Sequence, residues 1–408
     1  MNKRKVLNDP VYGFINIPDD LIFDIIEHRY FQRLRRIKQL GLSDFVYPGA
    51  IHTRFHHALG AMHLMRKALN SLEDKGIEIN KEEKQACMLA ILLHDIGHGP
   101  FSHTLEFSLF QNIRHEQVSI WMMERLNKEF KGALDLTLTI FKNHYERPFF
   151  HQLISSQLDI DRLDYLKRDS FFTGVYEGFI GSERIIKMLN VFSDQLVVDF
   201  KGVYSVENFL SARRLMYWQV YLHKTLVSAE VILIQLIKRA KELVQGKTSL
   251  MATPALSIFL ERNITLADFK EDSDILEIYS LLDDNDIWGS IKFWQEHDDF
   301  VLRHLSKALL ERKLLGISFS NDEIGRIITD NLVYKLNQKW NIEENQSRYF
   351  VKTGHVSNSA YIASGQSIKI LRKNGTVTDV AEASDLPNIK AMSKIVRKYY
   401  LCAPKAIL

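Results

Sequence analysis

Apolar positions in this chain recur mostly at three- and four-residue spacing, the mark of helices that bury one face. Pro18-Asp19-Asp20 reads as a helix start, and a helix over Leu21–Glu27 follows. A second, basic helix is predicted over Phe31–Leu40. Phe31, Leu34, Ile37 and Leu40 form its buried face, Arg33, Arg35, Arg36 and Lys38 its solvated one, and Gly41 stops it. Further helices are predicted over Arg54–Asn70, Glu78–Leu93, His115–Phe130, Asp135–Asn143 and Asp159–Asp169, with a long one over Val206–Gln245. Asp268–Leu315 gives two or three more. There the run Asp283-Asp284-Asn285-Asp286 reads as a helix cap, since it lacks the glycine and terminal glutamate of a calcium loop.

Strand-like alternation is confined to short stretches. Residues 1–17 are extended, with turn signals at Asp9-Pro10 and Gly13. Residues 195–206 read as a small β-hairpin turning near Lys201-Gly202. Tyr361–Ala363, Ser367–Arg372 and Thr376–Val380 have strand patterns, with Asn374-Gly375 as a hairpin turn. Asn388–Tyr400 reads as helical. The expectation is a mainly α fold, a helical bundle with a small β-hairpin and a small C-terminal α+β lobe. That lobe, over about 349–385, is expected to be separate, to lack catalytic groups and to serve subunit contact or regulation.

Composition adds bounds and no function. The 408 residues suffice for two or three domains or one large helical one. Fifty-three basic against 50 acidic residues leave a net charge of +3, too small to imply nucleic acid or membrane. Any anion site must come from local clustering. Two cysteines, Cys87 and Cys402, form neither a disulfide framework nor a zinc knuckle. The N-terminus lacks the apolar segment of a signal peptide, and no apolar run approaches the roughly 20 residues of a membrane span. A cytoplasmic protein is expected.

The chemistry concentrates in Leu93–Glu106, which carries His94, Asp95, His98, His103 and Glu106. It begins at the end of the apolar run Ala86–Leu93 and bends through Gly97, Gly99 and Pro100. Ionisable groups at the end of a buried helix are costly unless paired. A divalent metal is the simplest partner, and imidazole with carboxylate suits Mn, Fe, Ni or Zn. A lone His-Asp pair carries little weight. The metal reading rests on its conjunction with His56-His57 upstream and the acidic Asp159-Ile160-Asp161-Arg162-Leu163-Asp164-Tyr165 downstream. Either His56 or His57 can point inward. Asp161, Asp164 and Tyr165 lie close enough on their helix to share one side. Arg213, Tyr217, Tyr221 and Lys224 fall on one helical stripe, a line of anion-binding groups.

Phe31–Gly41, Tyr47-Pro48-Gly49-Ala50, Arg54-Phe55-His56-His57 and His94–His103 together resemble the HD-domain phosphohydrolases. Within that superfamily the chain is most similar to the deoxynucleoside triphosphate triphosphohydrolases, the group of bacterial dGTPases and the vertebrate SAM-and-HD-domain dNTPase. Asp159–Tyr165 and Tyr221-Leu222-His223-Lys224 extend the resemblance, which covers about residues 9–230. A SAM domain is not expected. The resemblance implies an HD catalytic core over 1–245, a helical extension over 246–348 and the small lobe over 349–408. It places the metal ligands on His57, His94, Asp95 and Asp161, and so selects His57 over His56. It places the catalytic histidine on His103, with Glu106 three residues on and further active-site histidines at His98 and His115. Phosphate contacts fall on Arg54, Arg162, Tyr165, Arg213 and Lys224, and sugar contacts on Gln39, Leu40, Asp169 and Tyr221. Two positions depart from the pattern. Arg162 stands where lysine is common, which keeps the charge but changes phosphate geometry. Ser170-Phe171-Phe172 stands where the vertebrate enzyme carries histidines, which touches base preference.

The implied activity is metal-dependent hydrolysis of a dNTP, with dGTP among the substrates, to deoxynucleoside and inorganic triphosphate. Hydroxide would attack the α-phosphorus, and His103 would protonate the leaving 5′-oxygen with Glu106 orienting its ring. The cofactor is a divalent ion: Mn, Fe, Ni, Zn or Mg. The implied partners are the dNTP, an allosteric nucleotide activator and further copies of the chain in a dimer or tetramer. Three other readings stand beside this one: hydrolysis of another nucleotide, a non-catalytic nucleotide sensor, and nucleic-acid binding. The near-neutral charge weakens the last.

Overall fold

The apolar run ahead of His94 becomes the buried end of a helix. Lys81–Leu93 is buried continuously from Ala86 to Leu93. A helix apolar on every face belongs in the centre of a fold. In this computed structural model the Arg54–Glu73 helix packs against both it and the Ile160–Thr173 helix. The structure describes residues 5–106, 108–110, 113–271, 273–358, 367–386, 389 and 395–408, and leaves aside the side chains of residues 102, 103, 271 and 273. The architecture is mainly α. His115–Glu129, Asp135–Phe141 and Phe149–Ile154 surround the central helices. Pro254–Glu261 and Phe300–Leu310 pack on the Lys224–Gln245 helix, and Asp284–Trp294 packs on Phe300–Leu310. One contiguous apolar core runs from Ile15 to Ala403. No single described helix is long and apolar enough to cross a membrane.

Small sheets border the helices. β1 (Val6–Asp9) and β2 (Gly13–Asn16) form an N-terminal hairpin. β3 (Leu189–Phe192) and β4 (Gln195–Asp199) form a second. β5 (Gly316–Ser320) follows the helical region, and the C-terminal segment adds β6 (Lys352–Asn358), β7 (Lys369–Leu371), β8 (Val377–Asp379) and β9 (Val396–Ala403). These last four strands enter two different sheets. β7 pairs in parallel with β4 to give the order β3-β4-β7-β8, and β9 lies between β5 and β6.

Four elements differ from expectation, two of them because a tertiary contact overrides the local pattern. The basic helix over Phe31–Leu40 is helical only over Arg29–Gln32, continuing as a 3-10 turn over Arg33–Arg36. Beyond it Ile37 is extended, its carbonyl accepts from Arg54 N–H at 3.0 Å, and Gln39 N–H donates to His52 O at 3.0 Å. Pairing with the stretch before the Arg54 helix therefore replaces the last helical turn. The second hairpin turns at Ser193-Asp194, both at positive φ, a conformation that short polar residues tolerate. Phe200–Gly202 instead forms a 3-10 turn into the next helix. The long helix breaks into Val203–Met216, a π-helical turn over Tyr217–Tyr221, and Lys224–Gln245, with a 55° bend. No glycine or proline marks that break. Finally, Val396–Ala403 is strand, paired on both edges, where Asn388–Tyr400 reads as helix. Tyr361–Ala363 lies outside the described residues. The acidic run at 283–286 caps its helix as expected: Asp283 accepts from Asn285 N–H, and Asp286 accepts from Asp283 N–H.

Candidate active site

Three helices deliver the cluster, and the first separates the paired histidines. Thr53 precedes the Arg54–Glu73 helix, and its N–H donates to His56 Nδ1 at 3.2 Å while its hydroxyl lies 2.9 Å from the same atom. His56 is thus engaged in capping. One residue on, 100° around the helix, His57 is fully buried and points inward. The central helix ends at His94, whose Nδ1–H donates to Ile91 O at 2.6 Å. The third helix starts at Asp159, which accepts from Arg162 N–H at 2.8 Å and Ser156 N–H at 2.7 Å. That start sets Asp161 in the first turn, facing the two histidines.

The four expected ligands converge. His57 Nε2 lies 3.3 Å from His94 Nε2 and 3.1 Å from Asp161 Oδ1, and His94 Nε2 lies 3.4 Å from Asp161 Oδ1. Asp95 Oδ1 is 3.3 Å from His94 Nε2, and its Oδ2 is 3.8 Å from His57 Nε2. Asp95 is shared, because Arg54 donates to its Oδ2 and His98 Nε2 lies 3.3 Å from its Oδ1. The hydrogen-bond network assigns the tautomers. His57 Nδ1 faces Asp164 Oδ2 at 2.7 Å and His94 Nδ1 faces a carbonyl, both of which only accept. Each Nδ1 therefore carries its proton, and two Nε2 lone pairs face each other between carboxylates. His57 Nε2, His94 Nε2 and an Asp161 oxygen are acceptors with no donor among them; they require a cation or a proton and fit a divalent metal, with Asp95 beside them. Without the ion a proton takes that place: burial opposes charge on His57, but Asp161 and Asp164 outweigh it and raise its pKa to about 10. Burial likewise opposes charge on Asp161, yet His57 and His94 hold it well below the usual carboxylate range.

The bend after Asp95 carries the remaining histidines. His98 is buried and stacks on His115, ring centroids 3.8 Å apart. Burial and the nearby Arg54 keep it well below the ordinary histidine range, hence neutral. Glu106 Oε1 accepts from His115 N–H at 2.8 Å and lies 3.1 Å from His115 Nδ1. The His103 side chain, the expected partner of Glu106, lies outside the described residues. Phe101 sits at φ 49°, with its N–H donating to Asp284 Oδ1 at 2.9 Å.

Cations and aromatics line the approach. Arg162 Nη1 donates to Asp159 at 3.0 Å and lies 3.7 Å from Asp161, with its Nε buried and without a hydrogen-bond partner among the described residues. Arg213 is buried, and its Nε and Nη1 likewise have no partner among the described residues. It lies 5.9 Å from the Tyr217 ring; Tyr217 packs edge-on to Tyr221, and Tyr221 to Tyr165. Tyr221 OH donates to Asp169 Oδ2 at 2.7 Å, and His52 Nε2 lies 2.8 Å from Asp169 Oδ1. Gln39 has a buried, unpartnered Oε1, Leu40 packs on the core, and Lys224 stands exposed at the start of its helix. The sequence missed His52, which stacks on Phe172 at 4.5 Å, and the orienting role of Asp164. Asp164 was legible by helical spacing. His52 carried no local signal. A cavity of about 450 Å³ lies elsewhere, between the Phe149–Ile154 helix, β4 and the start of β7.

Residues 54–169 match the HD domain family and residues 180–256 the HD associated region. The chain belongs to the HD-domain phosphohydrolase superfamily, whose domains bind divalent metals. Among solved structures it is similar to a phosphohydrolase from Bacteroides thetaiotaomicron, with a TM-score of 0.96 and 52% identity across 98% of this chain and 100% of that one. It is 36% identical to the uncharacterized protein YwfO of Bacillus subtilis over 333 residues, 79% of this chain and 74% of that one. It is 30% identical over 257 residues to the deoxynucleoside triphosphate triphosphohydrolase SAMHD1 homolog of Dictyostelium discoideum. That match takes in 58% of this chain and 50% of the relative, so the chain spans about half of it.

Proposed function

We propose that this chain is a metal-dependent triphosphohydrolase that cleaves deoxynucleoside triphosphates to deoxynucleoside and inorganic triphosphate. The observation that carries it is the buried acceptor cluster beside arginines whose donors are unfilled. Buried donors are nearly always satisfied, and phosphate oxygens would satisfy those of Arg162 and Arg213. The similarity to SAMHD1 proteins supports the substrate class. A divalent ion held by His57, His94, Asp95 and Asp161 would polarise a phosphate oxygen and lower the pKa of a water. Its identity among Mn, Fe, Ni, Zn and Mg is part of the test.

The chain's own groups divide the remaining work. Arg54, Arg162, Arg213 and Lys224 neutralise the triphosphate as one unit, and Tyr165 packs beside it. Asp169, held by His52 and Tyr221, presents a fixed carboxylate to the sugar, next to Gln39 and Leu40. His103 gives its proton to the 5′-oxygen, the poor leaving group, with Glu106 as its orienting partner. His98 and His115 stand beside the α-phosphate as a stacked pair. Further copies of the chain and an activating nucleotide complete the reading.

Incubation of the protein with each dNTP and each divalent metal, with products separated, tests the proposal. Triphosphate and deoxynucleoside are expected, with oxygen-18 from water in the triphosphate. His103→Ala should lower kcat by about 10²–10⁴-fold with little change in substrate binding. Release of monophosphate leaving dNDP would refute the role of His103. Turnover of another nucleotide in preference to every dNTP would refute the substrate class.

A further inference from the structure

Asp9 closes the β1–β2 hairpin, remote in sequence from every group of the cluster. Its Oδ1 accepts from Val11 N–H at 2.9 Å and Tyr12 N–H at 3.0 Å, which fixes the turn. Its Oδ2 accepts from Arg168 Nη1 at 2.8 Å. Arg168 is fully buried and grips both oxygens of Asp164, Nε to Oδ2 at 2.9 Å and Nη2 to Oδ1 at 3.1 Å. Asp164 Oδ2 in turn accepts from His57 Nδ1–H at 2.7 Å. An unbroken buried path thus runs from the hairpin turn to a cluster histidine.

Stability alone explains such a path poorly, because buried ion pairs rarely outperform apolar packing. The Arg54–Glu73 helix also makes room for it. A Cβ on Gly60, one turn beyond His57, would lie 2.1 Å from both Arg168 Nη2 and Asp164 Oδ1. An interior helical glycine is unfavourable, and here the space it leaves is filled by the ion pair. A two-point grip by arginine fixes the plane of a carboxylate, and the carboxylate fixes the imidazole that donates to it.

We propose that Asp9 is a positioning residue of the metal centre: acting through Arg168 and Asp164, it sets the tautomer and ring orientation of His57 and thereby the affinity for the divalent ion. The inference rests on the metal reading of the cluster and not on the nucleotide substrate. It makes the N-terminal hairpin part of the centre.

Asp9→Asn isolates the effect. Its carbonyl oxygen keeps the turn bonds to Val11 and Tyr12, while its amide N–H₂ faces Arg168 and ends the pull. Gly60→Ala disturbs the same ion pair from the opposite side and leaves Asp9 intact. Metal-free full-length protein would be titrated with Mn²⁺, with free ion read by its electron paramagnetic resonance signal and melting followed in parallel. Each variant should weaken Mn²⁺ binding by about 10–100-fold. The double variant should bind little worse than the weaker single one, since both act through Arg168 and Asp164. Wild-type affinity in folded Asp9→Asn, even with a lowered melting temperature, would overturn the inference, as would effects that multiply in the double variant. Should Asp9→Asn not fold, Arg168→Lys, which keeps the charge but loses the fork, takes its place under the same criteria. His94→Ala separates the two claims. If it binds Mn²⁺ like wild type, or if wild type binds none of Mn, Fe, Ni, Zn and Mg, the metal reading itself fails and the inference with it.

Discussion

His56 and His57 show what a single position decides. Their sequence neighbourhood is symmetrical enough that chemistry alone leaves both available. The distinction comes from Thr53, whose backbone and hydroxyl engage the His56 ring at the start of the helix. A histidine in a capping box is an uncommon cap, so no propensity pointed to it. The ligand types and their spacing were legible because metals demand a narrow chemistry. The partners that orient them, such as the carbonyl of Ile91, belong to the backbone and leave no trace in residue identity. The raised pKa of His57 gives a test at this scale. Its folded value, about 10, lies above its ordinary value near 6.5. The proton is therefore present below pH 6.5 in either state, and the metal-free folded protein keeps it up to about 10. Metal must displace it, so binding at pH 8 should release close to one proton from this site, and affinity should climb with pH until about 10. Calorimetry in buffers of different ionisation enthalpy measures the release, and a value near zero would contradict the raised pKa of His57.

Among the elements, the bend from Gly97 to Phe101 depends on a helix almost two hundred residues away. Asp284 accepts from Phe101 N–H at 2.9 Å and from Lys38 N–H at 2.8 Å, tying the bend to the start of the Asp284–Trp294 helix. A buried N–H that loses its acceptor costs about 1–3 kcal/mol, and Phe101 also occupies left-handed backbone. Asp284→Ala should therefore lower Tm by several degrees and reduce kcat while leaving metal content unchanged, as read by calorimetry and elemental analysis. Metal loss together with kcat would place Asp284 in a different role. The acidic run was legible as a cap, but this second use of it was not. The same limit explains the broken long helix. Its apolar periodicity continues through Tyr217–Tyr221, where a π turn inserts without a glycine or proline to announce it. It explains the misread terminal strand too, whose conformation comes from pairing with β5 and β6 on both edges.

At the scale of the whole molecule, the C-terminal segment is woven into the rest. β7 joins the hairpin of β3 and β4, and β9 is the middle strand between β5 and β6. Removing residues 395–408 would expose the edges of two strands and part of the core around Leu401, Cys402 and Ala403. We expect that truncation to aggregate or melt far earlier than the full chain, measured by solubility and circular dichroism; unchanged melting would contradict the central place of β9. The mainly α character was legible because helical periodicity is local, whereas these sheets join strands far apart in sequence. The cluster has the same long-range character. Its ligands come from the helices that begin at Arg54, Lys81 and Ile160, so no partly folded chain can assemble them. Occupancy and folding are then one equilibrium seen from two sides. A metal at a hundredfold excess over its Kd adds about 2.7 kcal/mol to the stability of the native state. The melting curve of this protein should accordingly serve as a gauge of the free metal around it, rising with each ion the centre accepts and flat for those it refuses.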